Sequence, residues 1–485
     1  MIYPRTALSP ALGSTLLLMV GCAGAQPLST RQPAQAPGRD SAVPGSIVMD
    51  GDTGEWRGSS EVRLVGDGEH LWIRFDPANT GVAIQAAPFS TRVLIDADNN
   101  PKTGRRIGSL GVDAMASLSP AFGSGIGNGS EIVFYDADGN GTVTGHAAMG
   151  FFFLPTFASE SYEVRFDRVA LDALADAGRI AVRVDQTDAD GNVLWSSETA
   201  GTLPAFDPPG ANTIAMPTKP AGGLRVLSQN VLFSSPLNNP GAFDRMISAI
   251  DPDVILFQEW FNTPQVVIQN WFNTNLGPGW TVIAPHPQEG VAIATRLPIL
   301  GTAPDLLDVP GGHANARFVG ALIDTPIGAF FGASVHLKCC GGADSSEDQR
   351  RISEAIAINA TVAGILQSNP EASVAIAGDY NLVGTRTPLD ILRVGLASDG
   401  SDLTPAETLT LGDPAAVTWI QETSRFSPGR LDWAVVDETK TAIARAFTLD
   451  TRRLSDASLL ATGLQAEDSE ASDHLPLVID LVPAE

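Results

Sequence analysis

Short apolar runs, four of which end in a polar side chain, recur from Leu224 onward, and segments with helical periodicity lie between several of them. Buried strands that alternate with helices in this way predict an α/β sandwich. Because several of the strands finish in Asn, Glu, His or Asp, one edge of the sheets is expected to gather ionisable groups. The runs are 224–230, 253–259, 290–299, 329–336, 373–379, 430–436 and 475–481.

The region between residues 45 and 215 has a different pattern, in which apolar and polar residues alternate over short runs separated by Gly, Asn and Asp. A period of two predicts an antiparallel β-sandwich. Only Val169–Ala177 has the pattern of a helix. The chain has 485 residues, several times the size of a typical domain, so two folded units are expected. We place a linker at 216–222 and the second unit at 223–485.

The N-terminal segment has the features of an export signal. One base, Arg5, precedes an apolar stretch over residues 7–20, which predicts a signal peptide at 1–21. Its end, Met19-Val20-Gly21-Cys22, resembles the lipobox of bacterial lipoproteins, and this resemblance implies that Cys22 carries a lipid anchor. Residues 22–44 are rich in Pro, Ala and Gln and predict a disordered tether. The expected location is periplasmic or cell-surface, membrane-anchored; the alternative is simple secretion.

Two features of the β-sandwich suggest ligands. Segments 49–56 and 96–104 resemble family-9-type carbohydrate-binding sandwiches, which implies a glycan as one candidate ligand. Asp96, Asp98 and Asn100 alternate along one loop, a spacing that calcium-binding loops use. This loop is therefore a candidate Ca²⁺ site. The alternative is that these residues only form β-turns.

Six short motifs follow one another in the second unit, and together they resemble the endonuclease/exonuclease/phosphatase superfamily. This is the metal-dependent fold of pancreatic-type deoxyribonucleases, abasic-site endonucleases, inositol-polyphosphate 5-phosphatases and neutral sphingomyelinases. The resemblance implies a catalytic domain built as a four-layer α/β sandwich, here preceded by an all-β sandwich domain. The motifs are Gln229-Asn230, Phe257-Gln258-Glu259, Val335-His336, Gly378-Asp379-Tyr380-Asn381, Arg430-Leu431-Asp432 and Ser472-Asp473-His474.

The resemblance also implies how a metal and water are held. Hydrolysis of a phosphodiester needs a hard cation, a base beside the water and groups that bear the charge of the transition state. Glu259 is the expected ligand of Mg²⁺ or Mn²⁺, with Asn230 and Asp473 completing or orienting the metal shell. Asp379 is expected to position or deprotonate the attacking water, and Asn381 to hydrogen-bond the phosphate.

The histidines are the other expected catalytic groups. By the same resemblance, His474 is oriented by Asp432 and acts either as general base or as phosphate stabiliser. His336 is expected to contact the phosphate or to protonate the leaving group. Arg317, upstream of the His336 strand, is a candidate phosphate contact, with an ordinary salt bridge as the alternative.

Charge bears on the substrate. The chain has 55 acidic and 30 basic residues, a net charge of −25, and so acidic a surface repels polyanions unless a metal or a basic groove intervenes. Abasic-site endonucleases typically have a tyrosine where this chain has His336, so the resemblance favours the other branches. We predict an exported, divalent-metal-dependent phosphoesterase acting on a phosphodiester of a nucleic acid or a phospholipid. The non-enzyme alternative is a glycan-binding surface protein whose phosphoesterase-like domain is inactive.

An aromatic segment between residues 260 and 280 has two interpretations. Its Trp and Phe side chains could dock on lipid, or they could pack a helix on the sheet, and packing is the favoured interpretation. The residues are Trp260, Phe261, Trp271, Phe272 and Trp280.

Cys339 and Cys340 are the only cysteines besides Cys22. Adjacent Cα atoms are ~3.8 Å apart, below the ~4.4 Å lower end for ordinary disulfides, so a bond between them would close a strained ring. An oxidising compartment favours disulfides. If Cys22 carries the lipid anchor, neither thiol has another cysteine of the chain to pair with. The sequence therefore suggests a vicinal disulfide near His336, with two reduced thiols as the alternative.

Overall fold

The structure is a computed structural model that describes residues 47–123, 125–170, 172, 178–207, 214–303, 306–311 and 314–484. The predicted signal peptide, Cys22, the tether and most of the helix predicted at Val169–Ala177 lie outside the described residues. Within the described residues, no helix has the length and apolar character needed to cross a membrane.

The first region contains two antiparallel sheets that share one apolar core. One sheet has the strand order β1-β2-β12-β11 and the other has the order β10-β9-β6-β3-β13-β14, with two short hairpins, β4-β5 and β7-β8, beside them. Each alternating run therefore lies on a strand with one face in the core. The strands are β1 Val62–Gly66, β2 His70–Phe75, β3 Ser90–Asp96, β4 Arg105–Ile107, β5 Leu110–Val112, β6 Ala114–Leu118, β7 Ala121–Phe122, β8 Gly125–Ile126, β9 Ser130–Tyr135, β10 Gly141–Thr144, β11 Phe152–Leu154, β12 Tyr162–Asp167, β13 Arg179–Thr187 and β14 Val193–Thr202.

The second region contains a seven-stranded and a six-stranded sheet, each of mixed direction. Their orders are β17-β18-β16-β15-β27-β26-β24 and β19-β20-β21-β22-β25-β23. The strands are β15 Leu224–Asn230, β16 Val254–Gln258, β17 Thr281–Ile283, β18 Ala292–Thr295, β19 Ile299–Thr302, β20 Arg317–Thr325, β21 Gly328–His336, β22 Ser373–Asp379, β23 Thr404–Pro405, β24 Leu409–Thr410, β25 Asp432–Val436, β26 Thr441–Thr448 and β27 Leu477–Pro483.

The helices of this region cover the sheets from outside. A core formed almost wholly by strand residues lies between the two sheets. A second core joins the seven-stranded sheet to α1 and α2, and a third joins the six-stranded sheet to α3 and α4. The helices are α1 Pro240–Ile250, α2 Gln265–Asn275, α3 Ser346–Ser368, α4 Thr387–Arg393 and α5 Asp456–Thr462.

Apolar side chains of the two regions pack against each other. Met49 forms a β-bridge with Ala415, and Phe152 and Leu154 of β11 belong with Met49 to a small core that includes residues 415–417. The described residues all belong to one compact unit. The sandwich and the second region therefore share a buried contact.

A buried ion cluster crosses the same contact. The Arg165 guanidinium donates to one carboxylate oxygen of Asp413, and Arg453 Nη1 lies 2.7 Å from the other. Burial opposes ionisation of Asp413, but the charges of Arg165 and Arg453 hold its pKa below the ordinary value. The carboxylate is thus the shared counter-charge of two guanidinium groups.

Replacing Asp413 with Asn is expected to lower the free energy of unfolding by about 3–5 kcal/mol, because it leaves a buried guanidinium without its counter-charge. Since the folded state lowers the pKa of Asp413, its stabilisation is present at neutral pH and is lost as the pH falls through that lowered pKa. Urea unfolding of the full chain at pH 7 and in acid measures both effects. Glu438→Gln, at an exposed position, is the control, and an equal change in both variants would contradict the prediction.

Candidate active site

The ends of neighbouring strands bring the predicted catalytic residues together. Asn230 ends β15, and Glu259 directly follows β16, which pairs with β15 in parallel. His336 and Asp379 end the parallel strands β21 and β22 and are register partners. Asp432 begins β25, which runs antiparallel to β22 and pairs with Asp379. The predicted gathering of ionisable groups at one edge is therefore observed.

Asn230 links the two central carboxylates. Its Nδ2 donates to Glu259 Oε1 at 3.2 Å and to Asp379 Oδ2 at 3.2 Å. The backbone N–H of Phe233 donates to Glu259 Oε2 at 3.0 Å. Glu259 itself has a positive φ of 67°, a conformation that turns its side chain away from the path of the strand. Asn230 is fully buried, so it holds both acids in fixed positions.

Glu259, His336 and Asp379 form a cluster that fits a divalent cation. Their ligand atoms all lie within 4.8 Å of one another, with His336 Nε2 3.9 Å from Glu259 Oε1 and 3.5 Å from Asp379 Oδ2. Burial raises the pKa of Asp379 to about 7, against the effect of His474 and with added repulsion from Asp432 and Glu259. Carboxylate oxygens are the ligands that Mg²⁺ and Mn²⁺ prefer, so the donor set suits either ion.

His474 is held by Asp432. Its Nδ1 lies 2.7 Å from Asp432 Oδ2, and its Nε2 lies 3.7 Å from Asp379 Oδ2. Burial acts to lower the pKa of His474, but Asp432 and Asp379 outweigh burial and raise the pKa to about 10. The raised pKa favours the charged imidazole, and its Nε2 faces the central carboxylates.

His336 lies against Arg317. The two ring nitrogens are 3.1 and 3.3 Å from Arg317 Nη1, and Arg317 Nη2 donates to the Leu337 carbonyl at 3.3 Å. Burial first, and then the charge of Arg317, lower the pKa of His336 well below its ordinary value. The lowered pKa favours the neutral imidazole. Arg317, the candidate phosphate contact, lies next to this ring.

Asn381 and Asp473 occupy the sides of the cluster. The Asn381 backbone N–H donates to Asp379 Oδ1 at 2.9 Å, and its Nδ2 donates to the Leu337 carbonyl at 3.2 Å. Asp473 Oδ2 accepts from Trp419 Nε1 at 3.0 Å, while its buried Oδ1 has no hydrogen-bond partner among the described residues. Asp473 is not part of the three-residue cluster of Glu259, His336 and Asp379.

Two residues to which the sequence assigned no role, Gln229 and Thr418, support the site. Gln229 Nε2 donates to the carbonyls of Asn230 and His474 at 2.7 and 3.0 Å. Thr418 Oγ1 accepts the N–H groups of Leu431 and Asp432, each at 2.9 Å. Gln229 belongs to the first of the six motifs, so the sequence does point to it. Nothing in the sequence near Thr418 indicates its contact with the start of β25.

The β-sandwich also reaches this edge. The Thr156 hydroxyl donates to the Leu382 carbonyl at 2.7 Å and lies 3.2 Å from the Arg430 carbonyl. Leu382 directly follows Asn381, and Arg430 lies two residues before Asp432. One side chain of the first region thus contacts both segments that carry these candidate catalytic residues.

Residues 227–474 match the Endonuclease/Exonuclease/phosphatase family, over more than half of the chain. The chain belongs to this family. Members of the Endonuclease/Exonuclease/phosphatase family are metal-dependent phosphoesterases and nucleases. No curated protein sequence matches the chain.

Several solved structures resemble part of the chain. D. rerio TDP2 complexed with single-strand DNA product is 16% identical, covers 54% of this chain and 99% of its own, and has a TM-score of 0.37. Beta toxin of Staphylococcus aureus is 16% identical, with 54% and 100% covered and a TM-score of 0.34. The 3'-5' exonuclease NExo of Neisseria meningitidis is 14% identical, with 54% and 100% covered and a TM-score of 0.37.

The candidate calcium loop lies outside the family match. Asp96 and Asp98 come within 4.8 Å of each other and of Asp113, which follows β5. Asn100 is not in this cluster of carboxylates. Its backbone N–H instead donates to Asp96 Oδ1 and Asp98 Oδ1 at 3.0 and 2.9 Å. Both oxygens are therefore already hydrogen-bonded within the loop, as in the β-turn interpretation.

The aromatic residues that suggested ligands are mostly in cores. Trp260, Trp271, Phe272 and Trp280 are buried and pack with α1 and α2 on the seven-stranded sheet, which confirms the packing interpretation for them. Trp56 and Trp72 of the sandwich are also buried and contact each other in a small cluster with Ile47. Phe261 is half-buried and is the exception.

The two cysteines adjoin the site as free thiols. Their Sγ atoms are 3.0 Å apart, and Cys340 has a positive φ of 70°. Arg351 Nη1 donates to the carbonyls of Lys338 and Cys340 at 2.9 and 2.6 Å. The loop after His336 is therefore fixed by a buried guanidinium with its thiols side by side.

The vicinal disulfide stays a prediction. Purified under air and alkylated without reductant, the protein is expected to show no label at Cys339 or Cys340 by intact mass, and two labels after reduction. Because the bond would stiffen the loop that follows His336, reduction is expected to lower the hydrolytic rate without releasing metal. Two labels on the unreduced protein would exclude the ring.

Proposed function

We propose that the chain is an exported hydrolase that cleaves a phosphodiester by metal-assisted attack of water, on the four-layer α/β sandwich that its motifs imply. The observation that carries this proposal is the cluster of Glu259, His336 and Asp379 beside the His474–Asp432 pair. Three acids and two histidines in this arrangement have no evident structural use. Export and lipidation at Cys22 are proposed from the N-terminal sequence alone.

A bound divalent cation would supply Lewis-acid stabilisation of charge on the phosphoryl oxygens. Glu259 is the proposed carboxylate ligand, and Asn230 orients Glu259 and Asp379 through its Nδ2. A metal role for Asp473 stays a proposal from its motif alone. Asp379 is proposed to position the attacking water and accept its proton, since the Asn381 N–H fixes its Oδ1 and its pKa near neutrality suits a base.

The histidines are proposed to hold the phosphate. His474 is protonated and directs Nε2–H toward the site, which favours stabilisation of the phosphate over action as a base. His336 is neutral, which favours a phosphate contact over protonation of the leaving group. Arg317, beside His336, adds a positive charge at the same edge.

A panel of substrates tests the proposal. We expect hydrolysis of bis(p-nitrophenyl) phosphate in Mg²⁺ or Mn²⁺ and its loss on chelation, and the natural class is then sought among DNA, RNA and sphingomyelin. A nucleic acid and a phospholipid are the two candidate classes. A full chain with bound metal that cleaves none of the four substrates would contradict the proposal and favour a non-catalytic surface protein.

A further inference from the structure

Three consecutive residues that follow the Asn230 strand adopt the left-handed conformation. Leu232, Phe233 and Ser234 have φ values of 42°, 50° and 62°. None is a glycine, and each such residue costs free energy relative to ordinary backbone. A run of three places an unusual concentration of strain at the edge of the active site.

This left-handed turn is fixed to Glu259. The Phe233 N–H donates to Glu259 Oε2 at 3.0 Å, and the Ser234 N–H donates to the Glu259 carbonyl at 2.8 Å. Ser234 Oγ and Thr263 Oγ1 are 2.8 Å apart and tie the turn to the loop that follows Glu259. The strained backbone is therefore held in one position relative to the proposed metal ligand.

The turn directs an aromatic side chain into solvent. Phe233 is 71% exposed, although burial of a phenyl ring is favourable and the core lies nearby. Its ring centroid is 5.9 Å from that of Phe261, which in turn is 5.8 Å from the imidazole of His336. Phe261 packs against Gly290, where a Cβ would lie 2.6 Å from its ring. A row of three rings thus leads from solvent to His336.

The hydrogen bonds of the turn hold Glu259 in place, but they give no reason for the exposed phenyl ring of Phe233, which a ligand would explain. We propose that Phe233 and Phe261 bind a planar aromatic group of the phosphoester substrate, next to the phosphate. This inference rests on the proposed function and adds the substrate class. The exposed face of an aromatic side chain stacks on a flat ring, whereas an acyl chain offers no such face.

Titration calorimetry in Mg²⁺ with three uncleavable phosphonates tests the inference. We expect phenylphosphonate to bind about tenfold more tightly than methylphosphonate, with cyclohexylphosphonate close to methylphosphonate. In Phe233→Ala this preference for phenyl is expected to fall to near one. Phe122→Ala removes another exposed ring, 58% exposed and located in the sandwich, and is expected to keep the preference.

A second variant separates binding from folding. Phe233→Gly relieves the positive φ, so its melting temperature is expected to equal or exceed that of the unchanged protein while the phenyl preference is lost. A preference that survives in Phe233→Ala, or cyclohexylphosphonate that binds as tightly as phenylphosphonate, would overturn the aromatic inference. If the protein prefers phenylphosphonate but hydrolyses no diester, the aromatic binding site stands and the proposed function is contradicted.

Discussion

Glu259→Gln is expected to reduce metal-dependent hydrolysis to the background rate. The substitution keeps the shape of the side chain but removes the charge that opposes a cation, and an amide is a weak ligand for Mg²⁺. Glu259 also accepts from Asn230 Nδ2 and from the Phe233 N–H, and Gln can accept only one of these bonds. Hydrolysis of bis(p-nitrophenyl) phosphate and calorimetric titration with Mg²⁺ measure the two losses.

The fold of Glu259→Gln should stay intact, because the side chain lies at the edge of the sheet rather than in a core. Circular dichroism and the melting temperature check this point. Glu438→Gln removes an exposed carboxylate and is the matched control for net charge. Undiminished activity of Glu259→Gln after treatment with chelator would exclude a metal role for Glu259.

The fold was predictable where burial imposes a local pattern. The run 373–379 is β22 to the residue, and the helical periodicity between the runs 329–336 and 373–379 belongs to α3, Ser346–Ser368. Ser345 accepts from the Asp348 N–H as the N-cap of that helix. Strands with both faces in a core consist almost wholly of apolar residues, so each polar end is visible in the sequence.

The site was predictable only to the extent that strand ends define it. Asn230, Glu259, His336 and Asp379 lie at such ends and do meet. Contacts between distant loops have no sequence period, so the hydrogen bond from Trp419 to Asp473 could not be anticipated.

The aromatic residues near the site also show a limit of prediction from sequence. Phe233 and Trp260 are both large and both near a catalytic residue, yet one is exposed and the other buried. Phe233 lies in the left-handed turn of residues 232–234. Because none of these residues is a glycine, the sequence gives no sign of the turn. Rules based on local sequence are expected to fail where the backbone is strained at a functional site.

His474→Ala is expected to lower the rate of hydrolysis by on the order of 10²-fold or more, because it removes a charged donor from the transition state. Asp432 contacts His474 Nδ1 at 2.7 Å and is expected to act through that ring. Asp432→Ala should therefore lower the rate as well, and the double variant should be no slower than His474→Ala alone.

The double-mutant cycle distinguishes an oriented pair from two independent groups. If the two losses multiplied in the double variant, Asp432 would act on the substrate or on Asp379 directly, and the pairing would be incidental. Non-additivity with unchanged Mg²⁺ affinity places the effect in the pair rather than at the metal. Asp437→Ala is the control, because Asp437 directly follows the same strand, β25, but at the end opposite Asp432.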